Sequence, residues 1–421
     1  MKYKTYNSNS YNIHTIKTDR FKTSHMELIF RDIARKETMS SFALLADLLC
    51  ESSKKYPRKK DLITKFEELY KSFIYASTLR VGNSLEFHFS LDFITPSYID
   101  DDSYEEEVIK LLFELIDNPN VINDEFDLKT FNIAKERLKR EVNCLKDNPM
   151  KQSIREALNA MNCDTPTSYE LLGSVEDIEK ITPSSLYETY KYFRKNFKVD
   201  IFLIGNLDIE NSVSLIKKYF KNRYIVTKDI PLLVDNKYKK NPVKSIPSNN
   251  VQANLVVIFN LQDLTDLEKD ITFNIFNYIF GNGGLTSKLY KSIREKNSLC
   301  YAISSMYLKY DKLLLVHISL ETENVKKAVS LVKKELKSMQ NGDFTIDELN
   351  DAISNMIMSI ELSKDNDVAI MNNYIFHEFD NLPLPDERIE LFKKAKKEDV
   401  INVAKKVKLN TVFTLEGRKK A

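Results

Sequence analysis

Apolar residues recur along this chain with helical and strand periods in alternation. Val108, Leu111, Leu112 and Leu115 fall at i, i+3, i+4 and i+7, the spacing of one helical face, and Ser103 followed by Glu106 reads as a capping box at the start of that helix. Val325, Ala328, Val329, Val332 and Leu336 draw the equivalent stripe in the second half of the chain. A third stripe, Phe42, Leu45, Ala46 and Leu49, lies in residues 40–57 and closes in a polar turn at Tyr56-Pro57. β-Branched and aromatic residues cluster at about 21–32, 80–93, 200–205, 250–260, 301–309 and 312–320, where strands are expected. The run from Tyr307 to Glu321 alternates as a hairpin does. Helices and strands interleave, which predicts an α+β fold.

The order of elements repeats. An apolar helix, an acidic turn and a long helix ending in Lys-Asp-Asn span VIKLLFELIDNPNVINDEFDLKTFNIAKERLKREVNCLKDNP; AVSLVKKELKSMQNGDFTIDELNDAISNMIMSIELSKDND repeats them down to Lys364, Asp365 and Asn366. Each half closes with a helix and a β-rich run, around Gly205 and around Gly417. This predicts a duplication into two homologous α/β domains with helices packed on one face of each sheet. Residues 225–248 carry Pro231, Pro242 and Pro247 without a helical stripe and read as the linker, so the domains are placed at 1–234 and 235–421.

Composition narrows the function. The 421 residues carry 63 basic and 61 acidic side chains, so no global field attracts nucleic acid or anionic lipid. Cys50, Cys144, Cys163 and Cys300 are widely separated and form no CxxC, which speaks against a zinc ribbon or a disulfide framework. The start, MKYKTYNSNSYNIHTIKTDRF, lacks the apolar core of a signal peptide, and no later run reaches the ~18 apolar residues of a membrane span. A cytoplasmic location is the expectation. No phosphate-binding loop or GxSxG elbow is present.

Two motifs carry chemistry. The helix in residues 40–57, following a strand pair, resembles the metal-binding helix of the pitrilysin/insulinase peptidases. In that family a His-x-x-Glu-His motif supplies two imidazoles for zinc and a glutamate base toward the metal-bound water. The positions that line up here are Ala43, Ala46 and Asp47, so both imidazoles and the base are gone. None of the five histidines, His14, His25, His88, His317 and His377, pairs with another at i, i+4. The run KERLKREVNCLKDNP resembles the helix carrying the third ligand, with Glu141 the closest match. The second motif is GNGGLTSKLYKSIREKNSLCYAISS, residues 281–305, where Gly281, Gly283 and Gly284 lead into a helix and Arg294-Glu295-Lys296 precede Leu299 and Tyr301. It is similar to the family's Arg and Tyr pair, seven residues apart. A guanidinium there can hold a peptide carbonyl or carboxylate, and a phenol can donate to a developing oxyanion.

The resemblance covers essentially the whole chain and is closest to the subunits that have lost the zinc motif. It implies a half-clamshell of two domains that binds no cofactor itself and pairs with a homologous subunit bearing HxxEH and zinc. This chain would contribute Arg294, Tyr301 and part of the peptide surface. The competing expectation is a scaffold or peptide-binding protein without a part in hydrolysis. Homodimerisation of the chain alone stays open.

Overall fold

The computed structural model of the protein describes residues 1–161, 164–221, 224–234 and 243–418. The expected domain boundary near residue 235, together with Cys163 and Pro242, lies outside the described residues. In chain order the first elements are β1 (Lys2–Asn7), β2 (Tyr11–Lys17), β3 (Thr23–Ile33), α1 (Met39–Leu49), α2 (Lys59–Glu68), β4 (Phe73–Val81), β5 (Ser84–Ile94) and α3 (Tyr104–Asp117). A small hairpin β6 (Val121–Ile122) and β7 (Glu125–Phe126) precedes α4 (Leu128–Lys146), α5 (Pro149–Ala160), α6 (Val175–Lys180), α7 (Pro183–Asn196), β8 (Lys198–Gly205) and α8 (Ile209–Tyr219). The remainder holds β9 (Lys244–Pro247), β10 (Ala253–Leu261), α9 (Phe273–Asn277), β11 (Cys300–Leu308) and β12 (Leu313–Leu320). Then come α10 (Val325–Asn341), α11 (Ile346–Ser363), α12 (Asp367–Asp380), α13 (Pro385–Lys394), α14 (Lys397–Lys405) and β13 (Val407–Glu416).

Two mixed sheets organise these elements, ordered β1-β2-β8-β3-β5-β4 and β11-β12-β10-β13-β9. Read from the other edge, the second sheet is β9-β13-β10-β12-β11, which matches β2-β8-β3-β5-β4 strand for strand. The pairing sense matches as well. β2 runs parallel to β8 as β9 does to β13, and every other neighbouring pair in both series is antiparallel. The fold is thus α+β, built twice on one topology.

Two compact units partition the chain. The first holds Met1–Asn143, Tyr169–Leu232 and Asn366–Ile375; the second holds Cys144–Ser168, Leu233–Asp365 and Phe376–Ala421. In the first unit, Met26, Leu28 and Phe30 of β3 and Leu85, Phe87, Phe89 and Leu91 of β5 point to one side of the sheet and pack with apolar residues of α1, α3, α4 and α7. In the second, Leu255, Val257 and Phe259 of β10 meet the helical layer that includes α10 and α14, while Val256 and Ile258 on the opposite face lie under Ala157 and Ala160 of α5. Among the described residues no helix is long and apolar enough to cross a membrane.

Two local expectations are corrected. Ser103 is not a capping residue: its hydroxyl donates to Asp101 Oδ1 at 2.7 Å, and Glu106 is taken by Lys218 and Tyr219. Working capping boxes are formed elsewhere, among them Thr182 with Ser185 and Thr345 with Glu348. The expected strand 80–93 is two, because Gly82, with φ +58°, turns the chain between β4 and β5.

Candidate functional site

Helix α1 is buried along most of its length because Phe42, Leu45 and Leu49 share a face. Ala43 and Ala46 follow them inward at 5% and 3% exposure. Asp47 and Glu51, one turn apart, turn toward α4, whose Arg137 bridges them: Nε donates to Asp47 at 3.2 Å and a terminal nitrogen donates to Glu51 at 2.5 Å. Lys59, at the start of α2, donates to the same Glu51 oxygen at 2.8 Å. Burial pushes the Asp47 carboxyl up, only partly offset by Arg137. Burial acts on Glu51 in the same sense, but hydrogen bonds from Lys59 and Arg137 outweigh it and hold that carboxyl below the ordinary range. Glu141 is exposed, so the α4 residue that reaches Asp47 is Arg137, one turn earlier, and not the residue that sequence comparison suggests.

This donor set does not fit zinc. The ion wants about three lone-pair ligands and an open position; Ala43 and Ala46 offer methyl groups, and Asp47 already faces a guanidinium. A divalent cation beside the Arg137 guanidinium would be repelled.

In the second unit the glycine-led motif is a succession of short π- and 3₁₀-helical turns. Gly281 closes a π-helical turn (Tyr278–Asn282) and has no room for a side chain: a Cβ there would stand 2.6 Å from Ser305 Oγ and 2.8 Å from Leu289. A further π-helical turn, Tyr290–Glu295, carries Arg294, which is exposed, with its guanidinium carbon 5.2 Å from the centre of the Tyr290 ring. Arg294 forms no ion pair among the described residues. Tyr301 sits at the start of β11, where the register with β12 slips: Cys300 pairs with Leu320 and Ala302 with Ser319, so Tyr301 is the extra residue of a bulge. Bulges re-aim side chains, and Tyr301 is 58% exposed.

A charged row on the first sheet was not anticipated. On the face away from the apolar core, Glu86, His88, Glu27, His25 and Asp92 form one hydrogen-bonded line. His88 bonds Glu86 through Nε2 at 3.2 Å and Glu27 through Nδ1 at 2.7 Å; His25 bonds Glu27 through Nε2 at 3.1 Å and Asp92 through Nδ1 at 2.5 Å. Burial alone would lower both imidazole pKa values, but the flanking carboxylates outweigh it and lift each to about 9. The signal was present in EFHFSLD, where Glu86, His88, Ser90 and Asp92 alternate with apolar residues.

The family model "Peptidase M16 inactive domain" matches residues 180–356. Over 416 residues the chain is 27% identical to "Probable inactive metalloprotease YmfF" of Bacillus subtilis (strain 168), covering 96% of this chain and 95% of the relative. The chain is a homologue of the M16, or pitrilysin-type, peptidases, of the kind named inactive. The framework of this M16 homologue recurs in solved structures. A conserved protein from Enterococcus faecalis V583 superposes with a TM-score of 0.92 at 22% identity, covering 98% of this chain and all of that one. A "peptidase M16 inactive domain" from Pseudomonas fluorescens superposes with a TM-score of 0.80 at 18% identity, covering 100% of this chain and 99% of that one. Within the M16 frame, the residues at the metal-helix positions are an alanine pair and an ion-paired aspartate.

Proposed function

We propose that this chain is the non-catalytic subunit of a metallopeptidase pair, giving Arg294 and Tyr301 to peptide processing by an HxxEH-bearing homologous subunit that holds the zinc. The observation that carries the reading is the exposure of both side chains: a bulge displaces Tyr301 outward, and Arg294 is exposed and forms no ion pair among the described residues. A buried tyrosine or an ion-paired arginine would have indicated a packing role. In the proposed role the guanidinium holds a peptide carbonyl or carboxylate and the phenol donates to the oxyanion.

Part of the peptide surface is assigned to β4, an edge strand of the first sheet. Phe73, Tyr75 and Leu79 stand exposed along one side of it, with the Phe73 and Tyr75 rings 5.7 Å apart. An extended peptide can add to such an edge through main-chain hydrogen bonds while the aromatic rings take alternate side chains.

The test is peptide hydrolysis by the chain alone, by an HxxEH-bearing homologue alone and by the mixture. Activity confined to the mixture supports the pair, and Arg294→Ala and Tyr301→Phe are then expected to lower turnover about 10- to 1,000-fold. A homologue equally active with and without the chain overturns the reading and leaves a scaffold or a peptide-binding protein.

A further inference from the structure

An open cleft of about 780 Å³ in the second unit lies over the end of the second sheet, between the start of α5 and residues 249–252. Along β12, the face turned toward α5 runs Leu313, Leu315, His317, Ser319. The two leucines belong to the apolar cluster with α5, whereas His317 and Ser319 line the cleft. Ala302, the residue after Tyr301, lines it too.

The floor is a set of acceptors. His317 is 4% exposed, and its Nε2 donates to Asn254 Oδ1 at 3.0 Å. The amide oxygen can only accept, which fixes the proton on Nε2. Burial holds the imidazole pKa down at about 4, so the ring is neutral and Nδ1 is a lone-pair acceptor with no partner among the described residues. Ser319 Oγ donates to Gln252 Oε1 at 2.6 Å, which leaves its lone pairs to accept as well. Among the described residues Asp147 is the one charged side chain on the walls. The start of α5 is no anion cradle, since Pro149 lacks an N–H and that of Lys151 is taken by Asn148. The rim, by contrast, is apolar: Met150 is 38% exposed and Val251 78%.

A long cationic side chain complements that arrangement, with an aliphatic stem for the rim and N–H donors for the floor. We propose that the cleft is a side-chain subsite of the peptide-binding surface and takes a lysine or arginine, with His317 Nδ1 and Ser319 Oγ accepting its N–H groups and Asp147 supplying the counter-charge. The inference rests on the peptide-binding reading above and deepens it by naming the side-chain class.

Cys144 lines the cleft with an exposed thiol and serves as the reporter. Labelled decapeptides that differ only in one central residue, Lys, Ala or Glu, are titrated into the full chain by fluorescence anisotropy. N-Ethylmaleimide alkylation of Cys144 is followed in parallel by mass spectrometry. The Lys peptide is expected to bind about 5-fold tighter than the Ala peptide, with Glu weakest, and to slow alkylation of Cys144. His317→Leu removes the preference. Val251→Lys, on the exposed rim where folding is not at stake, repels the Lys peptide and does the same. Binding without a Lys preference, or without protection of Cys144, overturns the subsite and leaves peptide binding elsewhere intact. No binding of any of the three peptides overturns the peptide-binding reading along with it.

Discussion

Glu27→Gln tests the charged row on the first sheet. Glu27 is 6% exposed and accepts from two imidazoles; burial would push its carboxyl up, yet the hydrogen bonds from His25 and His88 hold it down at about 2. Each imidazole rises from 6.5 to about 9 in the folded chain, and a lift of that size corresponds to roughly 3 kcal/mol. The two share Glu27, so their contributions do not add, and about 3 to 5 kcal/mol for the pair is the scale. Because the folded pKa lies above the unfolded one, folding takes up protons across this window. The contribution is complete below about pH 6.5 and is lost as pH rises through about 9. Glu27→Gln leaves one carboxylate per ring, Asp92 for His25 and Glu86 for His88. The expected loss is therefore about 2 to 4 kcal/mol near pH 6, shrinking toward zero near pH 10. Urea unfolding followed by far-ultraviolet circular dichroism at several pH values measures it, and histidine NMR titration reads the two rings directly. A variant as stable as the parent near pH 6, or a difference that stays constant with pH, refutes the network as described.

Three further outcomes follow from particular contacts. Rebuilding the metal motif as Ala43→His, Ala46→Glu and Asp47→His is expected to bind less than stoichiometric zinc by elemental analysis while Arg137 remains, and more once Arg137→Glu is added, since the guanidinium otherwise repels the ion. Arg137→Leu in the native chain leaves Asp47 and Glu51 facing each other one turn apart. Its expected cost is about 1 to 2 kcal/mol in thermal or urea unfolding, limited by the partial exposure of the guanidinium. Gly281→Ala drives a methyl group into Ser305 and Leu289; about 1 to 3 kcal/mol is expected, and a variant with unchanged melting temperature would show that the turn relaxes.

What the sequence disclosed depended on how local the signal was. The stripes at Val108 and Val325 are complete within three turns, and they became α3 and α10. The strands expected at 301–309 and 312–320 became β11 and β12, since alternation is a property of neighbouring residues. The turn at Gly82 was legible in Gly82-Asn83-Ser84, which interrupts the alternation, but the flanking runs were read as one strand. The cap at Ser103 failed because Asp101, two residues earlier, competes for the hydroxyl. The His25-Glu27-His88 line was not visible as a unit, because it exists only once β3 pairs β5 in the register that sets Ile29 opposite His88. Arg137 escaped notice for the same reason: which face of α4 meets α1 is decided by packing, and an offset of one turn separates it from Glu141.

Arg137 also explains how the framework can persist without a metal. Two helices that each present side chains to a zinc ion are held together partly by that ion, and deletion of the ligands alone would leave Asp47 and Glu51 as adjacent carboxylates on a half-buried surface. A guanidinium from α4 and an ammonium from α2 supply positive charge from within the chain, with a hydrogen-bonding geometry that meets both carboxylates at once. The internal cation is held covalently, so this corner of the first unit needs no metal to keep its charges balanced. The consequence reaches the chemistry: restoring the histidines alone is expected to fall short of a metal site, because Arg137 already sets a positive charge beside position 47.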